Sequence, residues 1–335
     1  MAEVLSRRHD PGRMARMLGA AGLVPVLLVI AIVVFGAVEP RFLSSANVSN
    51  VLRNASYLAL VSSGQMLVMT LGGIDLSVGV MVAFGSVGTA LSMQRLGVLF
   101  PAHETLVILL SCALTLALCA IVGAITGLLI TLTKASAFMV TLGSFTVIGG
   151  ICYYVTSGIP IYGMPTLFTR GFGRAALLGV PWPVTICAAL VLGIAVAQRH
   201  LNAGRWLYAS GGNPSAARAS GIPVARLTVM AYALCSCLAG LAGLLLTARI
   251  GSGQANLGSE FMLQSIGAAV LAGVSLRGGV GRAEMVAVSS LFLAVLANGM
   301  NLVRIDSKLQ TIVFGALVLT AIVLDRRRNA GRDYD

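Results

Sequence analysis

Asp75 is the only charged side chain between Arg53 and Arg95, and it lies within GGIDLSVG, residues 72–79. A carboxylate in such apolar surroundings has three chemical uses. It can accept hydrogen bonds from amides that open a helix. It can hold a coupling ion inside a membrane, or act as an acid or base beside reactive partners. Gly72, Gly73 and Gly79 let the backbone turn here, and Ser77 follows closely. The uncharged stretches on either side of Asp75 are each about one membrane crossing long. The carboxylate is therefore expected near the inner end of the second span, capping the amides at Leu76 or Ser77. A direct part in gating the inner mouth is the other reading.

No second group completes a reactive set. The three histidines, His9, His103 and His200, sit at span edges or termini and form no ligand cluster. The six cysteines (Cys112, Cys119, Cys152, Cys187, Cys235, Cys237) contain no Cys-x-x-Cys pair and read as small buried hydrophobes. The two lysines, Lys134 after Thr133 and Lys308 after Ser307, do not fit the Gly-Lys-Ser/Thr of a phosphate-cradling loop. Catalytic residues, a metal site and a cofactor are not expected in this chain. Energy for any work it does must come from another polypeptide or from an ion gradient.

The elements that position these residues follow from composition. The chain has 335 residues, 57% apolar and only 10% charged, against about a quarter charged in soluble domains. The charges bound ten long uncharged runs. These lie between Arg16 and Glu39, Arg53 and Asp75, Asp75 and Arg95, Glu104 and Lys134, and Lys134 and Arg170. Five more lie between Arg174 and Arg199, Arg226 and Arg249, Glu260 and Arg277, Glu284 and Arg304, and Lys308 and Asp325. A bilayer core of about 30 Å takes about 20 helical residues. Most runs reach that length, and those after Glu260 and Lys308 are short at 16 residues. The expected fold is an all-α, polytopic membrane bundle of about ten transmembrane helices, some short or broken. The first run is too long for a signal-peptide core and lacks a good cleavage site, so it is read as a retained helix.

The net charge of +12 would suggest nucleic acid in a soluble protein, but here the arginines border apolar spans and set orientation instead. With the N-terminus inside, 15 of the 23 Lys and Arg fall on the cytoplasmic side. The others are Arg41, Arg53, Arg95, Arg170, Arg174, Arg249, Arg304 and Lys308, so the bias has the expected sign. Both termini are therefore expected in the cytoplasm, with tails 1–17 and 326–335 flanking a membrane domain, 18–325. A Gly- and Pro-rich outer connection, residues 157–180, is expected to be partly buried.

The inner loop, residues 199–226, contains GGNPSAARASGIPVAR. Asn213 suits a helix N-cap, Pro214 the first helical position, and Gly221 the left-handed stop, with Pro223 beyond. A two-turn helix of Pro214, Ser215, Ala216, Ala217, Arg218, Ala219 and Ser220 follows. It is either a surface helix propped on the membrane domain or a small-faced knob for a partner's groove. Gly123 with Gly127, and Gly240 with Gly243, mark close helix packing. LGGIDL (71–76) and LAGVSL (271–276) form a weak internal echo. Aromatic residues at Tyr57, Phe84, Phe138 and Phe145, with Tyr153 and Tyr154, either line a translocation path or serve as packing and interfacial anchors.

From residue 42 to residue 324 the chain resembles permease subunits of bacterial ABC importers of the ribose- and monosaccharide-type branch. The resemblance rests on GGIDLSVG (72–79), FMVTLGS (138–144), GGNPSAARASGI (211–222), LAGLAGLLLTARIGSGQ (238–254), AAVLAGVSLRGGVGR (268–282) and LANGMNLV (296–303), in that order. It implies a cytoplasmic ABC ATPase that binds ATP and Mg, an external sugar-binding protein, and a second permease copy, as homodimer or paralogue pair. It also implies that residues 213–221 couple to the ATPase. The family's acidic residues before Ala216 and Ala217 are replaced here by Pro214 and Ser215, so a charge contact to the ATPase is expected to be missing. A nucleoside, autoinducer or amino acid remains the alternative cargo. An ion-coupled secondary transporter would carry more intramembrane ionisable residues than Asp75, and an integral-membrane enzyme lacks its reactive set.

Overall fold

The computed structural model describes residues 23–330. The Arg-rich stretch at residues 7–16, His9, Arg332 and the tail 1–17 lie outside the described residues. Twelve α-helices are described: α1 (Leu23–Val38), α2 (Ser45–Thr70), α3 (Val78–Leu99), α4 (Glu104–Thr133), α5 (Ala137–Thr156) and α6 (Trp182–His200), then α7 (Asn202–Gly212), α8 (Pro214–Ala219), α9 (Val224–Ile250), α10 (Phe261–Leu271), α11 (Ala283–Leu302) and α12 (Ser307–Ala330). Each of the ten uncharged runs holds one helix. The protein is a polytopic helical membrane bundle.

Five helices, α4, α5, α6, α9 and α11, are long and apolar enough to cross a bilayer. Helices α2 and α3 have 26 and 22 residues, about 39 and 33 Å at 1.5 Å per residue. They carry more polar side chains because they are sheathed by their neighbours. Every residue of α2 from 55 to 70 is buried, against α6, α9, α10 and α11. Only one of the two short runs gives a short element. Helix α10 has 11 residues, about 16 Å, half the bilayer core. The other short run lies in α12, which has 24 residues and runs without a break through Arg326, Arg327 and Arg328 to Ala330.

Helix α9 packs against α2, α3 and α4, and small residues let it do so. A β-carbon on Gly123 would stand 2.4 Å from the Tyr232 carbonyl, and one on Gly243 2.0 Å from the Val82 carbonyl. In a bilayer, where lipid tails are as apolar as leucine, such backbone approach supplies much of the association energy. The outer connection is partly buried as its composition suggests. Phe168 is enclosed, and the rings of Phe168, Phe172 and Trp182 stack in series at 6.2 and 6.3 Å. The six cysteines are all free, and four are fully buried.

Candidate functional site

At one end of the bundle three chain segments clasp each other. Helices α2 and α10 finish in the same turn, with Gly72 at φ +81° and Gly273 at φ +83°. In each, two amides reach back to the helix's last carbonyls: Gly72 to Met69 and Gly73 to Val68, Gly273 to Val270 and Val274 to Ala269. The echo between 71–76 and 271–276 is thus structural, but its register is displaced by one residue from the string match, because Gly72 corresponds to Gly273 and not to Ala272. The segment after the second turn folds onto the first, where the Gly279 amide donates to the Thr70 carbonyl at 2.8 Å. Gly211, near the end of α7, fits between them; a β-carbon there would lie 1.8 Å from the Thr70 oxygen and 2.5 Å from the Gly279 nitrogen.

Helix α7 occupies what the sequence suggested was loop. Its Tyr208 hydroxyl donates to the Gly281 carbonyl. Burial, with the Glu284 charge adding to it, raises the phenol's pKa, so it stays protonated and keeps donating. Arg199 and Arg282 both engage Glu284. From this platform α8 projects as the sequence expects. The Asn213 side chain accepts from the amides of Ser215 and Ala216 at 3.1 and 2.9 Å. At the far end Gly221 has φ +79°, and the Ile222 amide closes on the Ala217 carbonyl at 3.0 Å. Only Ala217 is buried; Pro214, Ser215, Ala216, Arg218, Ala219 and Ser220 are exposed.

Asp75 sits inside the first turn and is fully buried. Its Oδ1 accepts from the Ser77 amide at 2.8 Å and the Ser77 hydroxyl at 2.6 Å, tying down the start of α3. The Gln65 amide, oriented to satisfy both its atoms, donates to the Asp75 carbonyl at 3.0 Å and accepts its amide at 3.2 Å. Oδ2 makes no hydrogen bond, and the side chains of Tyr232 and Cys235 are its polar neighbours. The flanking glycines provide clearance. A β-carbon on Gly73 would meet the Tyr232 hydroxyl at 2.7 Å, and one on Gly79 the Gly258 carbonyl at 2.9 Å.

At the other end of α2 is a cavity of about 540 Å³ bounded by α2, α9, α10 and α11. Amides supply most of its polar wall: Asn47, Asn50 and Asn54 from α2, Gln264 from α10, Asn298 and Asn301 from α11. Asn47 and Asn298 exchange side-chain hydrogen bonds at 2.8 and 2.9 Å. Arg249, at the end of α9, donates to Asn54 at 2.7 Å and also to Asn50. Tyr57 is 1% exposed; its hydroxyl meets no partner in good hydrogen-bond geometry, and the Arg249 guanidinium is its charged neighbour.

Of the four aromatic residues singled out as path candidates, only Tyr57 lines this cavity. Phe145, with Tyr153, borders a separate cavity between α3, α5 and residues 255–259. Phe84 packs against the core, and Phe138 is 51% exposed on α5. The reason is that α5 buries a single stripe of Thr141, Ile148, Cys152 and Thr156, which leaves most of its aromatics outside. The amide row is what aromatic counting misses. Its signal is spacing: positions 47, 50, 54 and 57 share one helical face, and 298 and 301 repeat the interval.

Residues 47–322 match the model of the family described as branched-chain amino acid transport system / permease component. The chain is 36% identical to the ribose import permease protein RbsC of Escherichia coli (strain K12) over 312 residues, 91% of this chain and 93% of the relative. It is 38% identical to the ribose import permease protein RbsC of Bacillus subtilis (strain 168), covering 97% of each. It is 32% identical to the D-allose transport system permease protein AlsC of Escherichia coli (strain K12), covering 90% of each. No solved structure matches the chain. With residues 47–322 matching that family and with apolar helices to cross the bilayer, the chain belongs to the branched-chain amino acid transport system / permease component family, as a multi-pass permease of the cytoplasmic membrane.

Proposed function

We propose that this chain is the membrane-spanning subunit of an ABC importer that carries a monosaccharide or related neutral polyol inward, while ATP is hydrolysed on a separate chain. An external sugar-binding protein delivers the cargo, and a second permease copy completes the channel. The observation that carries this reading is α8. It is an exposed helix capped at both ends, on a chain that shares over a third of its residues with relatives named ribose import permeases. A six-residue helix does not persist by propensity alone; here Asn213 and Gly221 hold it out from the clasp as a peg for an ATPase cleft.

The peg supplies the test. Gly221 has open space around the position of a β-carbon but a left-handed backbone, so Gly221→Val strains the stop by about 1–2 kcal/mol without a clash. ATPase binding and solute uptake are expected to fall together at unchanged membrane levels. Gly221→Asn, tolerated in that conformation, retains both. If the valine variant still binds its ATPase and transports, α8 is not the docking element. Orientation is checked separately: a cytoplasmic reporter fused after Asp335 is expected to be active, and activity of a periplasmic reporter only would reverse the assignment.

A further inference from the structure

We propose that the amide-lined cavity between α2, α9, α10 and α11 is a solute site for a neutral polyhydroxyl molecule, anchored at its inner end by the Tyr57 hydroxyl. This rests on the import function proposed above and names the place where the cargo is held within one permease chain.

The cavity's volume of about 540 Å³ falls in the ~300–1,000 Å³ of small-molecule sites. Its chemistry is neutral and two-sided. The side-chain nitrogens of Asn50 and Asn54 and both amide atoms of Gln264 make no hydrogen bond among the described residues, although the oxygens of Asn50 and Asn54 serve Arg249. The Tyr57 hydroxyl both donates and accepts, and so does each sugar hydroxyl. Leaving the tyrosine oxygen buried and unpaired costs about 1–3 kcal/mol, which a bound hydroxyl would offset. Leu246, Phe261 and Leu293 add apolar wall for the C–H face of a ring.

Charge argues against an ionic cargo. Each terminal nitrogen of Arg249 donates to an asparagine of α2, which ties the guanidinium to the cavity's rim, and Arg249 is not among the residues of its wall. Glu260, the acid on the wall, is exposed. Inward of Tyr57 the site is closed, because α2 is buried continuously through residue 70. Cargo therefore waits at a blind end until α2 shifts against α9, α10 or α11.

The experiment is uptake of radiolabelled D-ribose, D-allose and L-leucine into proteoliposomes holding the whole importer, with its binding protein supplied. Variants are compared at equal incorporated protein, and folding is judged by gel filtration in detergent. Tyr57→Phe removes an oxygen that makes no well-aligned hydrogen bond in the fold, so the bundle keeps its packing. It is expected to lower sugar uptake about ten-fold, the loss of one hydrogen bond to cargo. Asn54→Trp fills the cavity from an exposed position and lowers it at least as far. Thr146→Trp, in the separate cavity beside α5, stays within about two-fold of wild type. Wild-type sugar uptake that both cavity variants preserve, or that Thr146→Trp alone blocks, overturns the site and leaves the import function standing. Wild-type uptake of L-leucine and of neither sugar overturns both.

Discussion

Gly211→Ala is expected to abolish uptake and deplete the protein from the membrane, whereas Gly212→Ala leaves both close to wild type. The two glycines are neighbours, so the change in helix propensity in α7 is similar for each and favours alanine, by up to ~1 kcal/mol. What differs is the space. At Gly211 the new methyl would lie 1.8 Å from the Thr70 oxygen and 2.5 Å from the Gly279 nitrogen; at Gly212 it meets nothing within 4 Å. The obstructing atoms are backbone, and they hold the 2.8 Å hydrogen bond between Gly279 and Thr70, so no rotamer change makes room. The cost therefore exceeds the ~1–3 kcal/mol typical of overpacking, a large fraction of a membrane protein's margin. Immunoblots of membranes and sugar uptake measure the outcome. Normal levels and normal transport in Gly211→Ala would show that the three segments do not close on one another in the working protein.

The second large effect concerns Asp75. Asp75→Ala leaves the Ser77 amide and hydroxyl unpaired in a fully buried turn, at about 1–3 kcal/mol for each orphaned group. Membrane levels should drop several-fold. Asp75→Asn keeps the Oδ1 acceptor for both groups and replaces Oδ2 with an amide nitrogen whose polar neighbours are Cys235 and Tyr232. It also removes the cost of burying a charge without a counter-ion. Asparagine is accordingly expected to keep normal levels and most transport. If it folds and assembles normally yet stops uptake, the carboxylate's charge takes part in the transport cycle and its role goes beyond fastening α3.

Much of this architecture is legible in the sequence because the bilayer enforces it. Ionisable side chains are costly within a span, so Asp75, Glu104 and Lys134 mark helix ends directly, whereas Arg53 lies two turns inside α2 and Arg95 about one turn before the end of α3. The caps of α8 are equally local, since Asn213, Pro214 and Gly221 each satisfy a rule within their own turn. Helix α7 is not legible in this way. It contains Gly204, Gly211 and Gly212 and looks like loop, yet Gly204 and Gly211 are required by backbone approach from residues 197–198, 70 and 279. The half-length of α10 is hinted at by its short run, but not the left-handed stop at Gly273. The amide cavity lies between these cases. The 47, 50, 54, 57 spacing is visible, while the partners that turn it into an enclosure, Arg249, Gln264, Asn298 and Asn301, are some 200 residues away in the chain.

The two ends of α8 are fastened by its own immediate neighbours, Asn213 on one side and Gly221 with Ile222 on the other, and only Ala217 leans on the bundle. Six residues held so independently form an interchangeable tip. Their side chains can drift or be swapped between related proteins with little penalty to the membrane bundle. The length of α9, about 40 Å for 27 residues, separates that tip from the amide cavity. On the roles proposed for α8 and the cavity, descendants of such a chain can change what they attach to and what they carry as two separate evolutionary decisions.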